Sequence, residues 1–149
     1  MPSPLQVLQF VHCPMRRDLA QMAALSHHID TEASSGTLQD EALASLRQRY
    51  DLWRSVLQIH EEAEDLYLFS AIETATSGAT EQYQEADRQI DQRWESLSQC
   101  FDERDLHRLH MLFHELEHAM GAHLDEEEQQ LLPLADQHIP SLGQGTVAG

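Results

Sequence analysis

Apolar positions recur at three- and four-residue steps along most of the chain, the spacing that lines one face of an α-helix. Four stretches carry the pattern. The first follows Pro14, which suits an opening helical turn, and runs to about Asp30. Ser34, Ser35 and Gly36 read as a turn, after which Thr37 and Asp40 resemble a capping box opening a long second helix to about Ala75. Thr76, Ser77 and Gly78 read as the next turn, and a third helix reaches about Gln99. Asp102 can cap the fourth, which continues until Pro133 disturbs it. Between Leu5 and Leu132 only Pro14, Gly36, Gly78 and Gly121 are helix breakers. The pattern predicts an all-α fold, an antiparallel up-down-up-down four-helix bundle, since short connections force neighbouring helices to alternate in direction. Residues 1–139 are the expected bundle, and 140–149, with Gly and Ser, an expected disordered tail.

Composition agrees. A length of 149 residues suits one domain, and 21 Leu and 15 Ala against 9 Val plus Ile favour helix over sheet. The net charge of −17 repels phosphate backbones and anionic lipid, so neither a nucleic-acid nor a membrane-surface role is expected. No apolar run approaches the ~20 residues of a membrane span, and the opening MPSP lacks the features of a signal peptide. Two cysteines, Cys13 and Cys100, are too few for a disulfide scaffold, so a cytoplasmic setting is the expectation and both read as small apolar residues. Ten histidines are the anomaly.

Helical phase sorts them. His12 falls among Leu5, Leu8, Met15, Leu19 and Ala23. On the second helix His60 and Glu64 lie four residues apart among Trp53, Val56, Leu57, Ala63, Tyr67 and Leu68. On the fourth, His123 and Glu127 share a face with Leu109, Leu112, Leu116 and Met120. A lone HxxxE is ordinarily a solvated pair. Two of them inside apolar stripes are another matter, because a buried carboxylate without a partner costs several kcal/mol. No Arg or Lys follows Arg54 on the second helix or Arg108 on the fourth, so a bound cation is the economical partner. Spacing of i,i+4 directs an imidazole and a carboxylate to one place.

Two other motifs compete. His114–His118 reads HELEH, the HExxH of zinc hydrolases. Yet His107, His110, His114 and His118 form one stripe opposite Leu112, Leu116 and Met120, which in a bundle faces water. That stripe can bind Zn, Ni or Cu adventitiously. Ferritin-like di-iron bundles use ExxH at i,i+3, and this chain has HxxxE instead. Elsewhere, His27 and His28 suit the last turn of the first helix, where imidazolium complements the dipole, and His138 suits the end of the bundle.

Three segments resemble the hemerythrin-like (HHE cation-binding) domain family. His12 through Leu19 (HCPMRRDL) is similar to the family's first-helix histidine and Arg-Arg-Asp-Leu stretch. His60 through Phe69 (HEEAEDLYLF) is similar to its HHxAEDxxLFP segment, with Glu61 where a second histidine often stands. Ala122 through Pro133 (AHLDEEEQQLLP) matches its closing HxxxEExxLLP. The resemblance spans about residues 5 to 135. It departs on the third helix, where the family supplies histidine and the stretch from Gln84 to Asp91 has none. Asp87 stands in the expected place, at the edge of a stripe of Tyr83, Ile90 and Trp94. Tyr83 is an alternative phenolate ligand, though core packing is the better account of it.

The resemblance implies a non-haem iron site, di-iron, held by His12, His60, Glu64, His123 and Glu127, with Glu61 as a bridging carboxylate and Asp87 as further ligands. Manganese or zinc could substitute. Implied activities are binding of, or reaction with, oxygen, peroxide or nitric oxide, and loss of the third-helix histidine counts against a simple carrier. An iron-handling or redox-sensing module without turnover, a metal-free interaction bundle and an HExxH zinc hydrolase are the alternatives. Whether the site turns over, its redox partner, and monomer against small homo-oligomer stay open.

Overall fold

The computed structural model describes residues 6, 9–32 and 36–138. Leu5, Leu8, Ser34, Ser35 and the expected tail at 140–149 lie outside them, as does the side chain of His138. The elements are α1 (His12–Glu32), α2 (Gly36–Ala63), a π-helical turn π1 (Glu64–Phe69) leading into α3 (Ser70–Ala75), α4 (Glu81–Glu103), α5 (Leu106–Glu126) and a second π-helical turn π2 (Glu127–Leu131) leading into α6 (Leu132–His138). Among the described residues there is no strand. With α2–π1–α3 and α5–π2–α6 each acting as one rod, the chain is a bundle of four. Helix α5 packs against α1 and α4, and α2 closes the ring against the same two.

The apolar stripes assemble into two clusters. The larger joins Met15, Leu19 and Met22 of α1, Leu46, Tyr50 and Leu57 of α2, Trp94 and Leu97 of α4, and Phe113, Leu116 and Met120 of α5. Tyr50 is fully buried at its centre, with ring centroids 5.1 Å from Phe101 and 5.3 Å from Trp94, and its hydroxyl donates to the Trp94 carbonyl at 2.5 Å. The smaller cluster joins Leu68, Phe69, Ile72, Tyr83, Leu131 and Ala135 at one end of the bundle. Along each rod the residues between these clusters are polar: His60 and Glu64, Asp87, His123 and Glu127.

The ends of the elements depart from the expected ones for local reasons. Helix α1 includes His12, so Pro14 sits inside the first turn, where its missing N–H is not needed. Helix α2 already includes Gly36, and Asp40, expected in a capping box, pairs with Arg104. Helix α4 continues past Gln99 to Glu103 and stops because Arg104 turns left-handed at φ 54°. Asp105, not Asp102, then caps α5 by accepting from the Arg108 N–H at 3.2 Å. Asp102 instead pairs with Arg47 at 3.1 Å. Turn π1 is wider than an α-helical turn and shifts the phase of the residues beyond it, so Leu68, Phe69 and Ile72 are buried while Tyr67, expected in the stripe, is 60% exposed. The disturbance at Pro133 takes the form of π2. A straight α-helix there would crowd the proline ring against the Gln129 carbonyl.

Two glycines give opposite expectations. Gly121 lies inside α5 with open space where a Cβ would go, whereas Gly78 turns the chain at φ 82° after α3. Gly121→Ala should raise unfolding free energy by about 0.5–1 kcal/mol through helix propensity. Gly78→Ala should lower it by about 1–2 kcal/mol through left-handed strain. Urea unfolding at fixed metal content measures both, and equal effects at the two sites would contradict the backbone assignment.

Candidate metal centre

Six of the seven residues expected at a metal site come together between the two apolar clusters. The first turn of α1 contributes His12, the end of α2 His60, the start of π1 Glu64, the second turn of α4 Asp87, the end of α5 His123 and the start of π2 Glu127. All six are buried. Each π turn begins at the second residue of an HxxxE pair, so both rods depart from α-helical winding at the same functional position.

The donor atoms converge in two groups. In one, His12, His60, Glu64 and Glu127 each bring a ligand atom within 4.8 Å of the others. His12 Nε2 lies 3.3 Å from His60 Nε2 and 3.3 Å from Glu127 Oε2, and His60 Nε2 lies 2.6 Å from Glu64 Oε1. The second group is Asp87, His123 and Glu127, with His123 Nε2 2.7 Å from Asp87 Oδ1 and 3.0 Å from Glu127 Oε1. Glu127 belongs to both, one carboxylate oxygen facing each group.

These short contacts do not exhaust the polar atoms. Glu64 Oε2 is buried with no partner in hydrogen-bond geometry, as are the Nδ1 atoms of His60 and His123. Orphaned buried oxygens cost about 1–3 kcal/mol each, more when charged. Three carboxylates and three imidazoles whose donor atoms converge, with a Glu64 oxygen left unpaired, suit a cation placed between them. The residues present therefore fit a metal.

Electrostatics shows what happens without one. Burial, reinforced by Glu127 and Asp87, holds the Glu64 carboxyl protonated well above its ordinary range. Burial also opposes charge on Glu127, but His12 and His123 outweigh it and pull its pKa down to about 2. His123 is the counterpart: burial disfavours its imidazolium, yet Asp87 and Glu127 push its pKa up to about 10. His60 is lowered by burial to about 4 and stays neutral. Asp87 is raised, chiefly by burial, despite its contact with His123. One proton on His123 and one on Glu64 thus stand in for positive charge.

Glu61 is the exception among the expected residues. It is half-buried, belongs to neither group, and lines with Asp91, Arg54, Leu57 and Trp94 a cavity of about 250 Å³. Burial and the neighbouring Asp87 and Asp91 raise its pKa to about 9. The carboxylate shared by the two groups is Glu127. Tyr83 packs in the smaller core and donates to Gln130 at 3.4 Å. His107, His114 and His118 are exposed as expected, while His110 is half-buried against His27, which turns to it rather than to the helix end. Cys100 is buried in the core, whereas Cys13 is exposed rather than packed.

Phase missed two supporting residues. Glu128 Oε1 accepts from His12 Nδ1 at 3.0 Å, leaving Nε2 to face the centre. Arg16 holds that carboxylate at 3.4 Å and Asp125 at 2.8 Å. The available signal was Arg16 four residues beyond His12, on the same helical face. Glu128 was hidden by the winding of π2.

The model of the family described as hemerythrin HHE cation binding domain matches residues 3–135. No curated protein and no solved structure matches the chain.

The titrations predict how metal-free protein responds to pH. Glu61, Glu64 and His123 hold protons more tightly folded than unfolded, so their stabilising contributions are present at low pH and are lost as pH rises toward about 9 and about 10. His60 and Glu127 act oppositely, but their contributions are complete once pH passes the ordinary histidine value of 6.5. The melting temperature of chelator-treated protein should therefore fall between pH 6.5 and 9, with a shallower slope in Glu61→Gln. A melting temperature that rises over that range would contradict the protonation scheme.

Proposed function

Because the chain belongs to the hemerythrin HHE cation-binding domain family, we propose that it is a non-haem di-iron protein that binds or reacts with oxygen, peroxide or nitric oxide in the bundle core. The observation that carries the reading is the sharing of Glu127 between two donor groups, which offers places for two ions linked by one carboxylate. His12, His60 and Glu64 would hold one ion and Asp87 and His123 the other. Mixed imidazole and carboxylate donors suit iron, with manganese or zinc as substitutes. Bound iron would supply a change of oxidation state and open positions for a small ligand.

The chain's own residues set the conditions for that chemistry. Glu128, held by Arg16, fixes the tautomer of His12 by taking its Nδ1–H. The flanking apolar clusters exclude water from both sides. Asp87 supplies an anionic oxygen where the family resemblance leads one to expect an imidazole. The donor set of His12, His60, His123, Glu64, Asp87 and Glu127 therefore contains as many carboxylates as imidazoles. Hard anionic donors favour the higher oxidation state of iron, which supports reaction with an oxidant over reversible carriage.

Metal content after anaerobic reconstitution with ferrous iron tests the reading. Wild type should carry about two irons per chain. Asp87→Ala should fall toward one, and Glu64→Gln combined with Glu127→Gln should fall to none while remaining folded. Oxygen or peroxide should change the visible spectrum of the loaded wild type and leave the double variant unchanged. Full iron occupancy in the double variant would remove these carboxylates from the site and the reading with them.

A further inference from the structure

The histidine stripe of α5 remains outside the core chemistry, and the fold gives it a partner. His27, on α1 about four helical turns beyond His12, faces His110 across the α1–α5 groove. The two rings are tilted at 47° with centroids 4.6 Å apart, and His27 Nδ1 lies 3.2 Å from His110 Nε2. Imidazole nitrogens bound at about 2.0–2.1 Å to a tetrahedral ion stand about 3.3 Å apart, so the pair already has the bite of a chelate. His114 is one turn beyond His110 on the same face, and its ring has no hydrogen bond among the described residues. His27, His110, His114 and Glu117 line one cleft of about 440 Å³. Ala20, Ala23 and Ala24 form its α1 wall, and these small side chains leave the space in front of His114 open.

We propose that this cleft is a second metal site, taking a borderline divalent cation such as zinc, nickel or copper on the paired nitrogens of His27 and His110, with His114, on the same cleft wall, swinging in as the third donor. Imidazole donors select these ions over magnesium and calcium, and the chain's charge of −17 draws cations to the surface. Asp30, which accepts from His107 at 3.1 Å, adds negative charge beside the cleft. The HExxH segment thereby takes a different part from that of a hydrolase: His114 works across helices with His27, and His118 is a bystander. The site is independent of what fills the core.

Zinc titration against a chromophoric chelator, run on iron-loaded wild type, His27→Gln, His110→Gln and His118→Gln, tests the proposal. Wild type should bind one zinc beyond the core metals. His27→Gln and His110→Gln should weaken that ion at least tenfold, and His118→Gln should leave it unchanged. Iron content and the thermal melt should be the same in all four, since His27 is exposed and His110 half-buried. Wild-type zinc affinity in His27→Gln, or equal loss in His118→Gln, would overturn the proposal, the latter by assigning the ion to the exposed His114/His118 pair. Glu127→Gln separates the two sites: the cleft must still bind zinc there, and loss of zinc in that variant would place the ion in the core and overturn the proposal.

Discussion

Three carboxylates, Glu64, Asp87 and Glu127, sit buried in the middle of a helical bundle with no arginine among them, and the rest of the molecule is arranged around that constraint. A carboxylate removed from water must be neutralised, either by a proton or by a cation. The metal-free fold uses protons: Glu64 keeps its own, and His123 takes one to face Asp87 and Glu127. The Arg16 guanidinium is spent outside the cluster on Glu128 and Asp125. A bound cation would neutralise the same carboxylates and also use the unpaired oxygen of Glu64.

That arrangement explains the winding of the helices. An HxxxE pair brings one imidazole and one carboxylate to the same face, but a straight rod then carries the next residues onward in α-helical phase. By switching to π winding at Glu64 and at Glu127, the two rods keep the pair aimed inward. They then re-aim Leu68, Phe69 and Leu131 into the apolar cluster that seals the end of the site. The polar layer and its seal are therefore products of the same two irregular turns.

Much of this was legible in the sequence, and the failures have local causes. Period and breakers yielded the four rods, because Gly36, Gly78 and the apolar spacing are strong signals. The end of α4 was not legible, since a left-handed Arg104 does the work ordinarily done by glycine. His12, His60, Glu64, His123 and Glu127 lay in apolar stripes, and the structure brings them together with Asp87. Tyr67 was misplaced and Glu128 overlooked because α-helical phase does not hold through a π turn. Glu61 could not be assigned from its own helix. Its neighbour Asp91 comes from α4, and no period along one chain segment shows which residue of another helix will face it.

The proposed function requires Glu127 to join two metal positions. Anomalous diffraction at the iron edge from anaerobically loaded crystals addresses it directly. Two peaks should flank the Glu127 carboxylate, one against His12, His60 and Glu64, the other against Asp87 and His123. A single peak on either side of Glu127, or none within the core, would contradict the proposed function.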